Sequence, residues 1–65
     1  MIDRDFEIGQ LIDCMDKVRK WCVASILEVE AEYVKVHFEG WSSKWDDWYP
    51  RTSYKLQPLK TFTAR

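Results

Sequence analysis

At 65 residues the chain makes one domain at most, and its core must be thin, because a chain this short buries only about 60% of the surface that its unfolded form exposes. A hydrophobic share of 46%, with 15% aromatic residues, excludes a disordered tail, and a net charge of −1 removes the strongly basic balance usual in non-specific nucleic-acid binders. Cys14 and Cys22 with the single His37 fall short of a four-ligand zinc site, and no apolar run approaches a membrane span, so no metal, cofactor or membrane partner is expected.

Residues 1–5 read as a short polar N-terminal tail. Phe6 and Ile8 lead to Gly9, and 10–16 reads as a short strand bent toward Asp16, since Leu11 and Cys14 do not alternate cleanly. Lys17-Val18-Arg19-Lys20 is a basic turn. Between Trp21 and Phe38 two readings compete. Val18, Trp21, Cys22, Ile26, Val29 and Tyr33 fall near helical spacing, with no Gly or Pro between them; yet β-branched and aromatic residues abound, and Val34-Lys35-Val36-His37-Phe38 alternates with a period of two. Two strands, Trp21–Val29 and Tyr33–Phe38, joined by the acidic turn Glu30-Ala31-Glu32, are favoured. Gly40 lets the backbone reverse, Ser42-Ser43-Lys44 continues the turn, and Trp45–Tyr49 returns as a strand that Pro50 ends. Arg51–Tyr54 connects to a last edge strand over 55–59 with Leu56 inward. Residues 60–65 read as a tail or linker. After Tyr49 the chain carries Arg51, Lys55, Lys60 and Arg65 and no acid. With no signal-peptide pattern and few cysteines, reduced thiols in an intracellular module cut from a longer protein are expected.

The stretch from His37 to Trp48 concentrates four large rings, a glycine and two adjacent carboxylates in twelve residues. A thin core has room for one or two tryptophans, so some of these rings stand at the surface. Exposed rings beside carboxylates suit a cation, each ring face attracting an ammonium by roughly 0.5–2 kcal/mol. Trp41 and Trp45, on either side of a turn, are the candidates for ligand contact, and Phe38 is half core and half wall. Trp21 covers one side of the sheet. His37 alternates outward, and no nucleophile or second acid–base group converges on it, so enzymatic activity is not expected. Asp46 either binds a basic tail or caps the turn, and Asp47 is exposed.

At Gly9-Gln10-Leu11-Ile12-Asp13, Trp21-Cys22-Val23-Ala24-Ser25-Ile26, Val36-His37-Phe38-Glu39-Gly40-Trp41, Trp45-Asp46-Asp47-Trp48 and Leu56-Gln57-Pro58 the sequence resembles the Royal superfamily of Tudor, chromo-barrel and malignant-brain-tumour (MBT) domains. It is similar in particular to the Tudor/MBT-like modules of PHD-finger chromatin proteins and to the chromo-barrel, or Tudor-knot, group. The resemblance runs from Phe6 to about Leu59. It implies an all-β, SH3-like, five-stranded, bent antiparallel half-barrel over 6–59, which decides for strands over helix. It also implies an aromatic cage for methylated lysine or arginine, commonly of a histone tail. By position, Phe38, Trp41 and Trp45 become the walls and Asp16 the acceptor of the ammonium proton, with Lys17, Asp46, Asp47 and Tyr49 at the periphery and Trp48 packed in the barrel. Lys17 stands where similar sequences have an aromatic residue. Pointing inward it would repel a methylammonium; snorkelling outward it would leave the cage one wall short. The resemblance implies a nuclear, monomeric reader module. The alternatives are a methylation-independent docking module presenting Trp41 and Trp45 to a chromatin-complex subunit, or a nucleic-acid-binding chromo-barrel using Lys17, Arg19, Lys20, Arg51, Lys55 and Lys60.

Overall fold

A wealth of β-branched and aromatic residues, with clean alternation over 34–38, marks two neighbouring strands. In the computed structural model, which describes residues 5–63, β2 (Trp21–Val29) and β3 (Tyr33–Phe38) have the bounds that the pattern predicts. With β1 (Leu11–Met15), β4 (Asp47–Pro50) and β5 (Leu56–Pro58) they form one sheet in the order β4-β3-β2-β1-β5, antiparallel throughout. The expected all-β, five-stranded half-barrel is the fold that the chain adopts.

Two features bend the sheet. The β2–β3 register slips between Ile26 and Glu28, so that Leu27 is an extra residue, a bulge that kinks and twists the strand. Across the barrel, the Tyr49 hydroxyl on β4 donates to the Met15 carbonyl on β1 at 2.9 Å, linking strands that the sheet order keeps apart. Inside the curl, Val34, Val36 and Phe38 of β3 meet Ile12, Cys14, Ala24, Ile26 and Leu56, with Phe6 and Tyr49 completing the core.

The broken alternation of β1 has a specific cause. Ile12 and Cys14 face the core, and Asp13 between them is also fully buried, beneath residues 60–63. Its carboxylate accepts from the backbone N–H groups of Lys60 (3.0 Å), Phe62 (2.7 Å) and Thr63 (3.1 Å) and from the Thr63 hydroxyl (2.7 Å). Burial alone would raise the Asp13 pKa, but these four hydrogen bonds outweigh it and hold the carboxyl below its ordinary value. Phe62 stacks on Trp21 with centroids 4.3 Å apart and planes 19° from parallel. Residues 60–63, expected as tail or linker, therefore form a strap across β1 and β2. Arg65 and residues 1–4 lie outside the described residues.

Trp48 corrects another expectation. The resemblance implies a place in the barrel, but β4 pairs Val34 with Tyr49 and Lys35 with Trp48, which sends Tyr49 inward and Trp48 outward, 37% exposed. There the Lys35 ammonium lies 6.0 Å from its ring centroid. The returning strand also starts later than expected, at Asp47, because Ser43–Trp45 form a 3-10 turn whose preceding Ser42 accepts from the Lys44 N–H.

Candidate functional site

Met15 pairs with Trp21, Phe38 pairs with Ala24, and the Glu39 N–H donates to the Val23 carbonyl at 3.0 Å. The β1–β2 turn (16–20) and the β3–β4 loop (39–46) therefore leave the sheet at the same end, and between them the chain builds a pocket.

The first side of it is held by Asp16. One carboxylate oxygen, Oδ1, accepts from the backbone N–H groups of Val18 and Lys20, each at 2.9 Å, and fixes a turn in which Arg19 takes a left-handed φ of 64°. Oδ2 has for company the Cys22 thiol at 3.7 Å, a weak donor. The residue is 4% exposed. Burial, with the charge of Asp16, raises the pKa of Cys22, and burial pushes that of Cys14 up to about 12, so the surroundings of both disfavour the thiolate.

The second side is aromatic. Phe38 ends β3 with 3% exposure; Gly40, at a φ of 83°, turns the chain so that the Trp41 N–H reaches the Phe38 carbonyl at 3.0 Å, and the 3-10 turn then delivers Trp45. Phe38 and Trp41 lie 5.7 Å apart between centroids at 45°, and Trp41 and Trp45 6.2 Å apart at 88°. These rings and Asp16 line a pocket of about 150 Å³, completed by Lys17, Val18, Asp47 and Tyr49. That is smaller than the roughly 300–1,000 Å³ usual for small-molecule and cofactor sites, and it suits the head of one side chain. Ring faces beside a carboxylate with spare acceptor capacity attract a cation.

The four residues singled out from the sequence, Asp16, Phe38, Trp41 and Trp45, thus meet at one pocket. Of the peripheral four, Tyr49 lines it while its hydroxyl ties β4 to β1, and Lys17 and Asp47 line it as a pair, with Nζ to Oδ2 at 3.8 Å. The Lys17 side chain is 80% exposed, the outward disposition of the two considered. Asp47, expected to be exposed, is half-buried, and its Oδ1 accepts from the Trp48 N–H at 2.8 Å. Asp46 is not among the lining residues: its Oδ1 lies 2.7 Å from His37 Nδ1, joining the loop to the outer face of β3. Val18 escaped sequence reasoning. An apolar residue in an otherwise basic turn was its only signal, and in the structure it lines the pocket while 69% exposed.

A family model described as the mbt repeat matches residues 11–61. Among known proteins, the chain is 36% identical over 59 residues to the Polycomb protein Sfmbt of Drosophila melanogaster, covering 88% of this chain and 5% of that protein. It is 39% identical over 62 residues to PHD finger protein 20-like protein 1 of Rattus norvegicus, covering 92% of this chain and 6% of that protein. With the human MBT domain-containing protein 1 it shares 28% identity over 75 residues, covering 92% of this chain and 12% of that protein. The chain thus corresponds to a small fraction of each relative's length.

Proposed function

This chain belongs to the MBT-repeat family of the Royal superfamily, and from that membership we propose that it is a non-enzymatic, chromatin-associated reader module that takes a methylated lysine, or arginine, of a histone tail or another protein into the pocket between Phe38, Trp41 and Trp45. The observation that carries the reading is Asp16: an almost fully buried carboxylate with one oxygen spent on its own turn and the other unclaimed by any N–H of the described residues, lining the same pocket as the rings of Phe38, Trp41 and Trp45. A mono- or dimethylammonium has an N–H to donate to that oxygen, and a trimethylammonium has none. Asp16 therefore favours the lower methylation states. The relatives named for Polycomb, PHD-finger and MBT proteins support a nuclear setting.

Two or three cation–π contacts with one partly screened carboxylate, less the entropy of ordering a peptide, give a Kd of roughly 10 μM to 1 mM. Binding this weak acts through other domains of a longer protein. The test is an NMR titration of the domain with lysine peptides that are unmodified or mono-, di- or trimethylated, following the indole N–H signals of Trp41 and Trp45. Shifts that appear on methylation, are greatest for the lower states and vanish in Trp41→Ala are expected; indoles indifferent to every methylated lysine or arginine peptide refute the reading. The exposure of Trp45 (50%) and Val18 (69%) favours one second reading, a methylation-independent docking surface for a partner subunit. Under it, the unmodified peptide or a partner protein would shift the same indoles as strongly.

A further inference from the structure

The rim of the pocket carries charge that has no part in holding an ammonium. On one side the β1–β2 turn presents Lys17, Arg19 and Lys20, all exposed. On the other, the exposed Lys44 places its ammonium 5.5 Å from the centroid of Trp45. The Met15 N–H donates to the Lys55 carbonyl at 3.0 Å, so the backbone of a fifth cationic residue lies at the same end.

The acids at this end each hold at least one contact within the domain. Asp16 holds its turn, Asp46 meets His37, Asp47 is shared between Lys17 and the Trp48 N–H, and Glu39 accepts from the Ser25 hydroxyl at 3.2 Å. The far end of β2 and its turn collect Glu28, Glu30 and Glu32, but there Lys35 pairs with Glu28 at 3.7 Å and Arg51 donates to the Glu30 carbonyl at 3.0 Å. A net charge of −1 thus conceals a local feature, four exposed cations gathered at the rim of the pocket. The Lys17–Asp47 pair is long, at 3.8 Å, and exposed on the lysine side, so it is weak enough for an incoming carboxylate to compete with it.

We infer that this domain, taking up a methylated lysine as proposed above, prefers one set among acidic residues, whose carboxylates meet Lys17 on one side of the pocket and Lys44 on the other. The inference rests on the cage reading and adds to it the chemistry of the flanking sequence. In an extended peptide a residue two positions from the methylated lysine lies roughly 7 Å along the chain and on the same side of it, facing the rim where Lys44 stands beside Trp45. Peptide flanks rich in lysine or arginine would bring like charge to the same rim. Nucleic-acid phosphates share the anionic chemistry, but a duplex would also meet Glu39 and Asp47 beside these few cations.

The experiment compares three dimethyllysine peptides of equal length with glutamate, serine or arginine two positions to either side, titrated at about 50 and about 300 mM salt. Expected is an affinity about five-fold tighter for the glutamate peptide than for the serine peptide, and weaker still for the arginine peptide, with the spread shrinking at the higher salt. In the double variant Lys17→Glu, Lys44→Glu the order reverses, while Trp41→Ala abolishes binding of all three. Equal affinities that Trp41→Ala still abolishes would overturn the inference and leave the cage reading standing. A short DNA duplex that binds the wild type and not the double variant, with the peptides indifferent to their flanks, would overturn it by giving the rim to phosphate. If no methylated peptide binds, the cage reading fails and the inference falls with it.

Discussion

The molecule contains two clusters of rings beside an aspartate, and they do opposite things. Trp21 and Phe62 stack face to face at 4.3 Å, leaving nothing between them, and the neighbouring Asp13 is saturated by four donors. Trp41 and Trp45 stand edge to face at 6.2 Å, leaving a pocket, and Asp16 keeps an oxygen that no N–H of the described residues claims. Composition does not separate the two. Ring spacing and the residual acceptor capacity of the carboxylate do: a closed stack with a satisfied acid holds chain to chain, and an open set with an unsatisfied acid is left with something to bind.

The largest effect expected from breaking this comparison is at Asp13. Asp13→Ala removes the acceptor of three N–H groups and a hydroxyl and should cost about 3 kcal/mol, read as a lower midpoint in urea unfolding. Peptide affinity in the folded fraction should not change. The sign of the pH dependence follows from the lowered folded pKa: the contribution of Asp13 is present above the unfolded value of about 3.9 and is lost as pH falls through the lower folded value. Wild-type stability should therefore drop steeply below about pH 4, and Asp13→Asn should flatten that limb of the profile.

Next in size is a reciprocal pair. Trp41→Ala should weaken methyl-lysine binding at least about ten-fold, about 1.4 kcal/mol, while changing stability by less than about 1 kcal/mol, since the ring is 39% exposed. Phe62→Ala should do the reverse, costing about 1–2 kcal/mol of stability by uncovering Trp21 while leaving affinity within about two-fold. Calorimetric titration and thermal unfolding of both variants would show it. A Phe62→Ala protein that loses affinity as much as Trp41→Ala does would mean that the strap, not ring spacing, sets the pocket.

What the sequence revealed divides along the same line. The clean period of two in Val34–Phe38 gave β3 its bounds and its inward face, and the concentration of rings between Phe38 and Trp45 marked the pocket, because both are local patterns. The resemblance supplied Asp16, which no local spacing would have joined to rings more than twenty residues later. The strap was illegible: Asp13 finds its partners 47 to 50 residues away, and nothing in Lys60–Thr63 announces that its N–H groups converge on a buried carboxylate. The direction of Lys17 was equally hidden, since it depends on where Asp47 lies after two loops have folded.

Trp48 gives the smallest effect and the sharpest check on how parity is set. Inward and outward positions on β4 follow from its pairing with β3, in which Asp47 and Tyr49 lie opposite the inward Val36 and Val34 and Trp48 lies opposite Lys35, so that Tyr49 rather than Trp48 enters the core. A buried tryptophan truncated to alanine costs about 3–5 kcal/mol. On the outer face, with a lysine 6.0 Å from its centroid and water on much of its surface, Trp48→Ala should cost about 1 kcal/mol or less, and Tyr49→Phe should cost a similar amount by removing the hydroxyl bond to Met15. Urea unfolding of the two variants side by side decides the matter: a loss of several kcal/mol at Trp48 with none at Tyr49 would mean that β4 pairs one residue out of the register described, moving Tyr49 away from the pocket and Trp48 toward it.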